Sequence, residues 1–322
     1  MLKYTLKRFG QMIVVMVAVT VIVFFMSNYM GDPVAALIDL EHATAAQVEA
    51  TREALGLNLP IHIQFINFVR DVLHGDFGDS YVYREPVMKL IAERFPATLE
   101  MVVTASIVTL LLAISLGVYS GAYPKRKLSK GIMAGSIIGI SLPGFWIGMI
   151  LIYIFSVSLG ILPASGRADP VNVLGMPLSI FAPGGWKHLV MPVISLSLSY
   201  MATTLRLTRA GIMENMKQDY IKFARVKGVS NRNVLFHHAL KNALIPVVTV
   251  FGLNIGGMFA FTTVTETIFA WPGMGKLLID AIGRSDRPVI VAYLMLVSCM
   301  FVLINFVVDI IYTLIDPRID LR

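Results

Sequence analysis

The chain has 322 residues, of which 56% are hydrophobic and 15% are charged, and its mean hydropathy is +0.74. About a quarter of the residues of a soluble domain are charged, so this composition excludes an ordinary soluble protein and predicts an all-α integral membrane protein in a lipid bilayer. The net charge of +7 does not indicate a nucleic-acid partner, because the sequence contains no basic, water-facing module with a reading motif.

The first predicted element is a membrane span. Lys3, Lys7 and Arg8 precede an apolar run over residues 9–28. A signal peptide is the alternative, since small residues at 43–46 resemble a cleavage site, but the run is close to the roughly 20 residues that cross a bilayer. We therefore expect residues 1–30 to form a cytoplasmic N-terminus and a retained first transmembrane helix.

Residues 31–95 carry ten acidic residues against five basic ones, which predicts a small, water-facing helical insert on the external side. Thr44 as a cap and Gly56 as a stop mark one helix, and residues 60–75 mark a second. Pro86 and Pro96 predict a third helix that ends at Pro96. Three histidines in the insert have no metal-binding spacing and are interpreted as surface residues: His42, His62 and His74.

Five further spans are predicted within residues 96–322, at 97–121, 132–158, 188–209, 244–265 and 288–315. Pro143 is expected to kink the third span. Glycines repeat along that span at four-residue intervals and predict close helix contacts: Gly131, Gly135, Gly139, Gly144 and Gly148. Residues 159–187 and 271–287 are expected to be external loops.

The basic residues are distributed asymmetrically along these segments. Of the 27 lysines and arginines, 17 fall in segments assigned to the inside and 10 in segments assigned to the outside. Because basic loops stay on the cytoplasmic side, we expect six transmembrane helices with both termini in the cytoplasm.

Residues 211–243 are predicted to form a cytoplasmic loop with a helix, a turn and a second helix. Asp219 is expected to cap the first helix, Gly228 to end it in the left-handed conformation, and Ser230 to cap the second. The first helix carries apolar residues at helical spacing, namely Tyr220, Phe223, Ala224 and Val226, with Lys222, Arg225 and Lys227 between them. This pattern is typical of a short helix that docks on a surface.

The blocks ARVKG at 224–228 and HALKNALIPVV at 238–248 resemble the loop signature of the membrane-spanning subunits of ATP-binding-cassette (ABC) importers. Within that superfamily they resemble the peptide/nickel permease family. The general motif begins Glu-Ala-Ala, where this chain has Lys222, Phe223 and Ala224. Further blocks follow in family order: GDP (31–33), HGDFG (74–78), FPATLE (95–100), LPGFW (142–146), LPASG (162–166), WPGMG (271–275) and DPR (316–318).

The resemblance implies a type I ABC importer permease fold in the bacterial cytoplasmic (inner) membrane. The implied partners are a second homologous permease subunit, two cytoplasmic ABC ATPase subunits and an external substrate-binding protein. Short peptides are the implied cargo, and nickel, as a chelate, is the alternative. The implied ATPase-coupling residues are Asp219, Tyr220, Phe223, Ala224, Arg225, Lys227, Gly228, Ser230, His238, Asn242 and Pro246.

The sequence predicts no catalytic, cofactor-binding or metal site, so ATP hydrolysis is expected in the partner subunits. The glycines near Lys276 do not form a phosphate loop, because Ala270 and Leu277 occupy two required positions. The adjacent His237 and His238 would point about 100° apart on a helix, which does not favour a shared metal. Cys299 lies in an apolar run and is interpreted as a packing residue.

Four residues in the spans are candidates for the pathway or for structural polar roles: Asn254, Gly256, Gly257 and Asp309. An ionisable residue in a span is costly and therefore a functional candidate, although a structural pair of Asp309 with Arg206 or Arg209 is the leading alternative. A neutral lining suited to a zwitterionic peptide is predicted from Ser195, Ser197, Ser199, Thr249 and Asn254. A self-contained secondary transporter is less favoured, because the sequence shows neither a mid-membrane carboxylate pair nor an inverted repeat.

Overall fold

The structure, a computed structural model, describes residues 2–29, 33–38 and 42–315. The N-terminal part contains α1 (Leu2–Tyr29), α2 (Pro33–Leu37), α3 (Ala45–Ala54) and α4 (Ile61–Leu73). The remainder contains α5 (Val87–Ala122), α6 (Lys127–Ser141), α7 (Gly144–Leu151, continued as π-helix over Ile152–Ser158), the hairpin strands β1 (Val171–Val173) and β2 (Met176–Leu178), α8 (Gly185–Asn215), α9 (Asp219–Val226), α10 (Asn231–Asn233, continued as π-helix over Val234–Ala239), α11 (Leu240–Ile268), α12 (Met274–Gly283) and α13 (Arg287–Ile315).

The described residues contain five helices that are long and apolar enough to cross a membrane, and α6 with α7 makes a sixth if that bent pair is one span. The five are α1, α5, α8, the helix that ends with α11, and α13. The predicted all-α membrane fold is confirmed. Gly31 and Asp32 of the GDP block and the whole DPR block at 316–318 lie outside the described residues.

The insert between the first two spans has the first two predicted helices but not the third. Thr44 and Gln47 form a capping box at the start of α3, and Gly56 has a φ of +66° just beyond its end. The expected stop at Pro96 is wrong, because α5 continues through that residue to Ala122. A proline lacks the backbone N–H that would donate to the carbonyl one turn earlier. In a packed bundle neighbouring groups can bond that carbonyl instead, so the helix need not end at the proline.

The insert is held to the bundle at the start of α13. The buried Asp286 carboxylate accepts hydrogen bonds from the Ser80 hydroxyl and from the backbone N–H groups of Tyr81 and Val82. The next residue, Arg287, donates to Ser27 Oγ at 3.0 Å and to Asn28 Oδ1 at 2.9 Å on α1. Two consecutive residues therefore join α1, the insert and the last span.

The third predicted span is broken at Pro143. The axes of the two helical segments on either side of the break differ by 108°, which is far more than the expected kink. Pro143 has no N–H to donate to the Gly139 carbonyl one turn earlier. The Ser199 hydroxyl of α8 donates to that carbonyl instead, at 3.0 Å.

The helices pack around α8 and α11. A buried apolar cluster joins α5, α8 and α11 and includes Met101, Leu189, Met258 and Trp271. A second cluster joins α5, α12 and α13 through Val87, Met274 and Val289. The predicted glycine contacts are only partly present, because Gly139, Gly144 and Gly148 face α8 closely whereas Gly131 and Gly135 face open space within this chain.

We predict that Gly117→Ala destabilises the chain by about 1–3 kcal/mol, the usual cost of overpacking. A Cβ atom at Gly117 would lie 2.6 Å from Thr208 Cβ and 2.9 Å from the Leu205 carbonyl oxygen, and the backbone of α8 cannot give way as a side chain can. The control is Gly135→Ala in α6, where a Cβ atom would meet nothing within 4 Å; it should be neutral or stabilising by up to about 1 kcal/mol.

The measurement is the thermal unfolding midpoint of the purified chain in detergent. An equal midpoint for the two variants would contradict the close approach of α5 and α8.

Candidate functional site

The candidate site is the loop around α9, between the end of α8 and the start of α10. The helix cap is Gln218, with φ −68° and ψ 151°, and not Asp219 as predicted. Asp219 is the first helical residue and accepts a hydrogen bond from Lys222 Nζ at 2.8 Å. This bond lowers the pKa of the exposed Asp219 carboxyl, so its small stabilising effect is present above the carboxyl's unfolded pKa and is lost as the pH falls.

One side of α9 is buried in the bundle. Ile221 is fully buried and Ala224 is 8% exposed. They belong to an apolar cluster with Val118 of α5, Ile212 of α8 and Ala243 of α11. The inner side of α9 therefore packs against three membrane helices, α5, α8 and α11.

A hydrogen-bonded bridge ties α9 to two of those helices. The Tyr220 hydroxyl donates to Asn215 Oδ1 at 2.7 Å, near the end of α8. Asn242 of α11 donates from Nδ2 to the same Tyr220 oxygen at 3.0 Å. Tyr220 and Asn242 were both predicted site residues, and the structure brings them together across 22 positions of sequence.

The end of α9 and the start of α10 have the capping residues predicted from the sequence. Gly228 has a φ of +80°, which strongly favours glycine. Ser230 then accepts a hydrogen bond from the Asn233 backbone N–H at 3.4 Å and caps α10. His238 is half-buried in the π-helical turn that follows, and Pro246 is an exposed residue near the start of α11.

The other side of α9 is exposed and both apolar and basic. Phe223 is 61% exposed and Val226 is 86% exposed, so the predicted apolar side is divided, with Ala224 inward and Tyr220, Phe223 and Val226 outward. Lys227 Nζ lies 4.6 Å from the centre of the Phe223 ring, and Lys222 and Arg225 are exposed beside them. The sequence analysis did not identify Ile221, which is the most buried residue of α9, because it treated the apolar residues of the helix as one face.

The small and polar candidates of α11 lie at helix contacts. Gly256 faces Phe301 of α13 so closely that a Cβ atom would lie 2.7 Å from the ring. A Cβ atom at Gly257 would lie 3.1 Å from the Tyr200 hydroxyl oxygen. Asn254 is half-buried, and its Nδ2 atom has no hydrogen-bond partner among the residues that the structure describes.

Asp309 forms an ion pair, but the partner predicted from the sequence is wrong. Its Oδ2 atom lies 3.0 Å from Arg8 Nη1 of α1, not beside Arg206 or Arg209. The pair joins the start of α1 to the later part of α13, two helices at opposite ends of the sequence. The sequence could not show this, because nothing in it specifies that the first and last spans are neighbours.

The hydroxyl groups of the predicted neutral lining bond to backbone carbonyls. Ser195 donates to Gly144 at 2.8 Å and Ser199 to Gly139 at 3.0 Å, across to α7 and α6. Ser197 and Thr249 donate within their own helices, at 2.6 and 3.3 Å. Ser195 and Ser199 thus serve first to hold the broken helix pair.

A second cluster of polar residues lies away from α9, and the sequence analysis did not identify it. Glu100 is 4% exposed and is bound by Arg167 at 2.6 Å and by the Ile180 N–H at 2.6 Å. Nearby, the fully buried Glu266 accepts hydrogen bonds from Thr98 Oγ1 at 2.7 Å and the Lys276 N–H at 3.0 Å. The FPATLE, LPASG and WPGMG blocks were visible in the sequence, but their convergence was not.

Two family models match the chain. The model described as "Binding-protein-dependent transport system inner membrane component" matches residues 113–321, and the model for the N-terminal part of such membrane components matches residues 1–102. Together they span nearly the whole sequence, including α9.

Three curated relatives are similar over almost their full length. The glutathione transport system permease protein GsiC of Salmonella typhi is 39% identical, with 99% of each chain covered. The di/tripeptide transport system permease protein DppB of Pseudomonas aeruginosa is also 39% identical, with 99% of each chain covered. The oligopeptide transport system permease protein AppB of Bacillus subtilis is 37% identical, with 99% of this chain and 100% of the relative covered.

We predict that Tyr220→Phe loosens α9, because it removes the hydroxyl that joins Asn215 and Asn242. A net contribution of about 1 kcal/mol for a hydrogen bond corresponds to roughly fivefold faster amide hydrogen exchange over 219–227. The matched control is Phe223→Ala, whose ring points outward and should leave exchange in the isolated chain unchanged. Equal exchange in Tyr220→Phe and the parent would show that the bridge does not anchor α9.

Proposed function

The chain belongs to the family of binding-protein-dependent transport system inner membrane components, and we propose that it forms half of the translocation pathway of an ABC importer for short peptides. The membrane subunit of such an importer is not the ATPase, so transport depends on coupling to partner subunits. The proposal rests on the two sides of α9. Its inner side is packed against the bundle through Ile221, and its outer side exposes Phe223 and basic residues.

We infer that the outer side of α9 docks on a cytoplasmic ATPase. Phe223 and Val226 offer an apolar contact, and Lys222, Arg225 and Lys227 surround it with positive charge. The complementary surface is an apolar groove with an acidic rim. When the ATPase pair closes, the groove moves α9, and the inner side moves α5, α8 and α11 with it.

We propose peptides as the cargo on two grounds. The relatives are named for the transport of glutathione, di- and tripeptides, and oligopeptides. The described residues also contain no group of three or more His, Cys, Asp or Glu side chains that could hold a metal ion, whereas a bare divalent cation would need such ligands.

The remaining partners follow from the architecture of a binding-protein-dependent importer. A second homologous permease subunit would complete the pathway, and two ATPase subunits would bind the α9 loops of the pair. An external substrate-binding protein would deliver the peptide to the side that carries the insert and the Glu100 cluster. Exposed apolar residues such as Val14 and Leu111 would face lipid or the second permease.

We further propose that both termini and the α9 loop face the cytoplasm. The charge asymmetry of the sequence supports this orientation, and α9 must be cytoplasmic to reach an ATPase.

The orientation is tested by single cysteines in a Cys299→Ala background, at Glu49 in the insert and at Asn231 beside α9. A membrane-impermeant thiol reagent added to intact cells should label Glu49→Cys and should label Asn231→Cys only after the membrane is opened. Equal labelling in intact cells, or the reverse order, would overturn the orientation.

The cargo is tested by uptake of radiolabelled tri-alanine in cells that lack this chain. Uptake should be lost on deletion and return with the parental chain, because the other subunits cannot form a complete pathway. Nickel uptake that follows the chain, with tri-alanine uptake unaffected, would refute the peptide assignment.

Phe223→Ala gives the matched test of coupling in the same cells. Removing a central aromatic contact from an interface typically costs 2 kcal/mol or more, so the rate of uptake should fall at least about tenfold although the protein accumulates normally. Full uptake with Phe223→Ala would contradict docking through this side of α9.

A further inference from the structure

A cleft of about 450 Å³ lies where the α6–α7 break meets α8 and α11. Its walls include aromatic side chains, with Phe145 after the break and Phe261 on α11 both substantially exposed. Tyr200 of α8 and Thr265 of α11 complete it. The cleft is neutral, since none of the residues that line it is ionised at neutral pH.

Two hydroxyl groups in this cleft have no partner within the described part of the chain. Tyr200 Oη and Thr265 Oγ1 make no hydrogen bond there, and neither atom is sealed from solvent. By contrast, the Ser195 and Ser199 hydroxyls in the same wall both bond to backbone carbonyls. The cleft therefore holds two groups that can still accept or donate a hydrogen bond.

The backbone at the break indicates whether the cleft faces water, protein or lipid. Leu142 and Pro143 are extended rather than helical, and Ser141 and Pro143 are exposed on the surface of this chain. Irregular backbone at membrane depth is tolerated only where protein covers it or where it lines a water-filled cavity. A cleft filled by lipid chains is disfavoured for the same reason, because it would leave the hydroxyl groups unpaired in hydrocarbon.

We propose that this cleft is the part of the subunit that contacts the transported peptide, with Tyr200 and Thr265 hydrogen-bonding its backbone amides. The inference rests on the proposed function and adds a location and a chemistry to it. A peptide backbone offers one donor and one acceptor at nearly every residue, so two neutral hydroxyls serve peptides of any sequence. The aromatic rings of the cleft accommodate varied side chains without an ionic contact that would trap the solute.

Gly257 supports this role for Tyr200. A Cβ atom at that position would lie 3.1 Å from Tyr200 Oη and 3.6 Å from the ring, so any side chain there would push the hydroxyl from its position. Gly257, a pathway candidate from the sequence, thus acts as a positioning residue that leaves room for Tyr200.

The first experiment measures water access to the cleft in the purified importer in nanodiscs. Phe145→Cys and Phe261→Cys are made in a Cys299→Ala background, with Leu111→Cys, exposed on α5 outside the cleft, as the control. A charged methanethiosulfonate reacts with the ionised thiol and so requires water. The two cleft cysteines should react and Leu111→Cys should not, and the binding protein loaded with tri-alanine should slow the reaction. Cleft cysteines as inert as Leu111→Cys would overturn the proposal in favour of lipid or a partner helix in the cleft.

The second experiment removes only the hydroxyls, with Tyr200→Phe and Thr265→Val, alone and together. In proteoliposomes each single variant should transport about fivefold less tri-alanine per ATP hydrolysed, the expected effect of losing one neutral hydrogen bond, and the double variant about 25-fold less. ATP hydrolysis stimulated by the loaded binding protein should be retained. A structural defect would instead lower transport and stimulated hydrolysis together. An unchanged ratio of transport to hydrolysis would refute the role of the hydroxyls.

These outcomes are separable from failure of the proposed function. If the parental importer moves no tri-alanine, the peptide assignment fails, whereas the accessibility of Phe145→Cys and Phe261→Cys still decides whether the cleft is an aqueous path. If the parent transports tri-alanine and the cleft cysteines remain inert, only the location proposed here is wrong.

Discussion

The architecture depends on one constraint, which is that backbone groups inside the membrane have no water to bond. Each helix must therefore pair its own N–H and C=O groups or obtain partners from its neighbours. The α6–α7 break shows the rule most clearly, because Pro143 removes the donor for Gly139 and Ser199 of another helix replaces it. Ser195 holds the other side of the break through Gly144, so α8 is fixed against both segments.

The same constraint distinguishes two sets of hydroxyl groups near the break. Serines that look from the sequence like a polar lining donate to carbonyl groups, whereas the hydroxyls of Tyr200 and Thr265 in the adjoining cleft have no partner among the described residues. On one side of the break, α8 supplies hydrogen bonds to the backbone carbonyls. On the other side, the irregular backbone must be kept from lipid, and the proposed aqueous path would meet that need. Under this proposal, Ser195 and Ser199 hold the helices together, and Tyr200 on the same helix faces the cleft.

The two ends of the bundle are organised differently. At one end, α9 is joined to three spans through Ile221, Ala224 and the Tyr220 bridge, while its outer side is exposed. At the other end, buried carboxylates of Glu100 and Glu266 are bound by side-chain and backbone donors that fasten the loop and α12 onto the bundle. The proposed coupling to an ATPase would act through α9 at the first of these ends.

The sequence by itself determined the fold class, five of the six spans, and the helix–turn–helix loop with its Gly228 and Ser230 signals, because hydrophobic runs and capping are local properties. Only the tertiary structure decided the passage of α5 through Pro96, the 108° break at Pro143, the partner of Asp309 and the division of α9 into an inner and an outer side. Each of these depends on groups distant in sequence. The pairs Ser199 with Gly139, Arg8 with Asp309, and Ile221 with Val118 exist because the bundle brings the helices together, and no local pattern encodes which helices are neighbours.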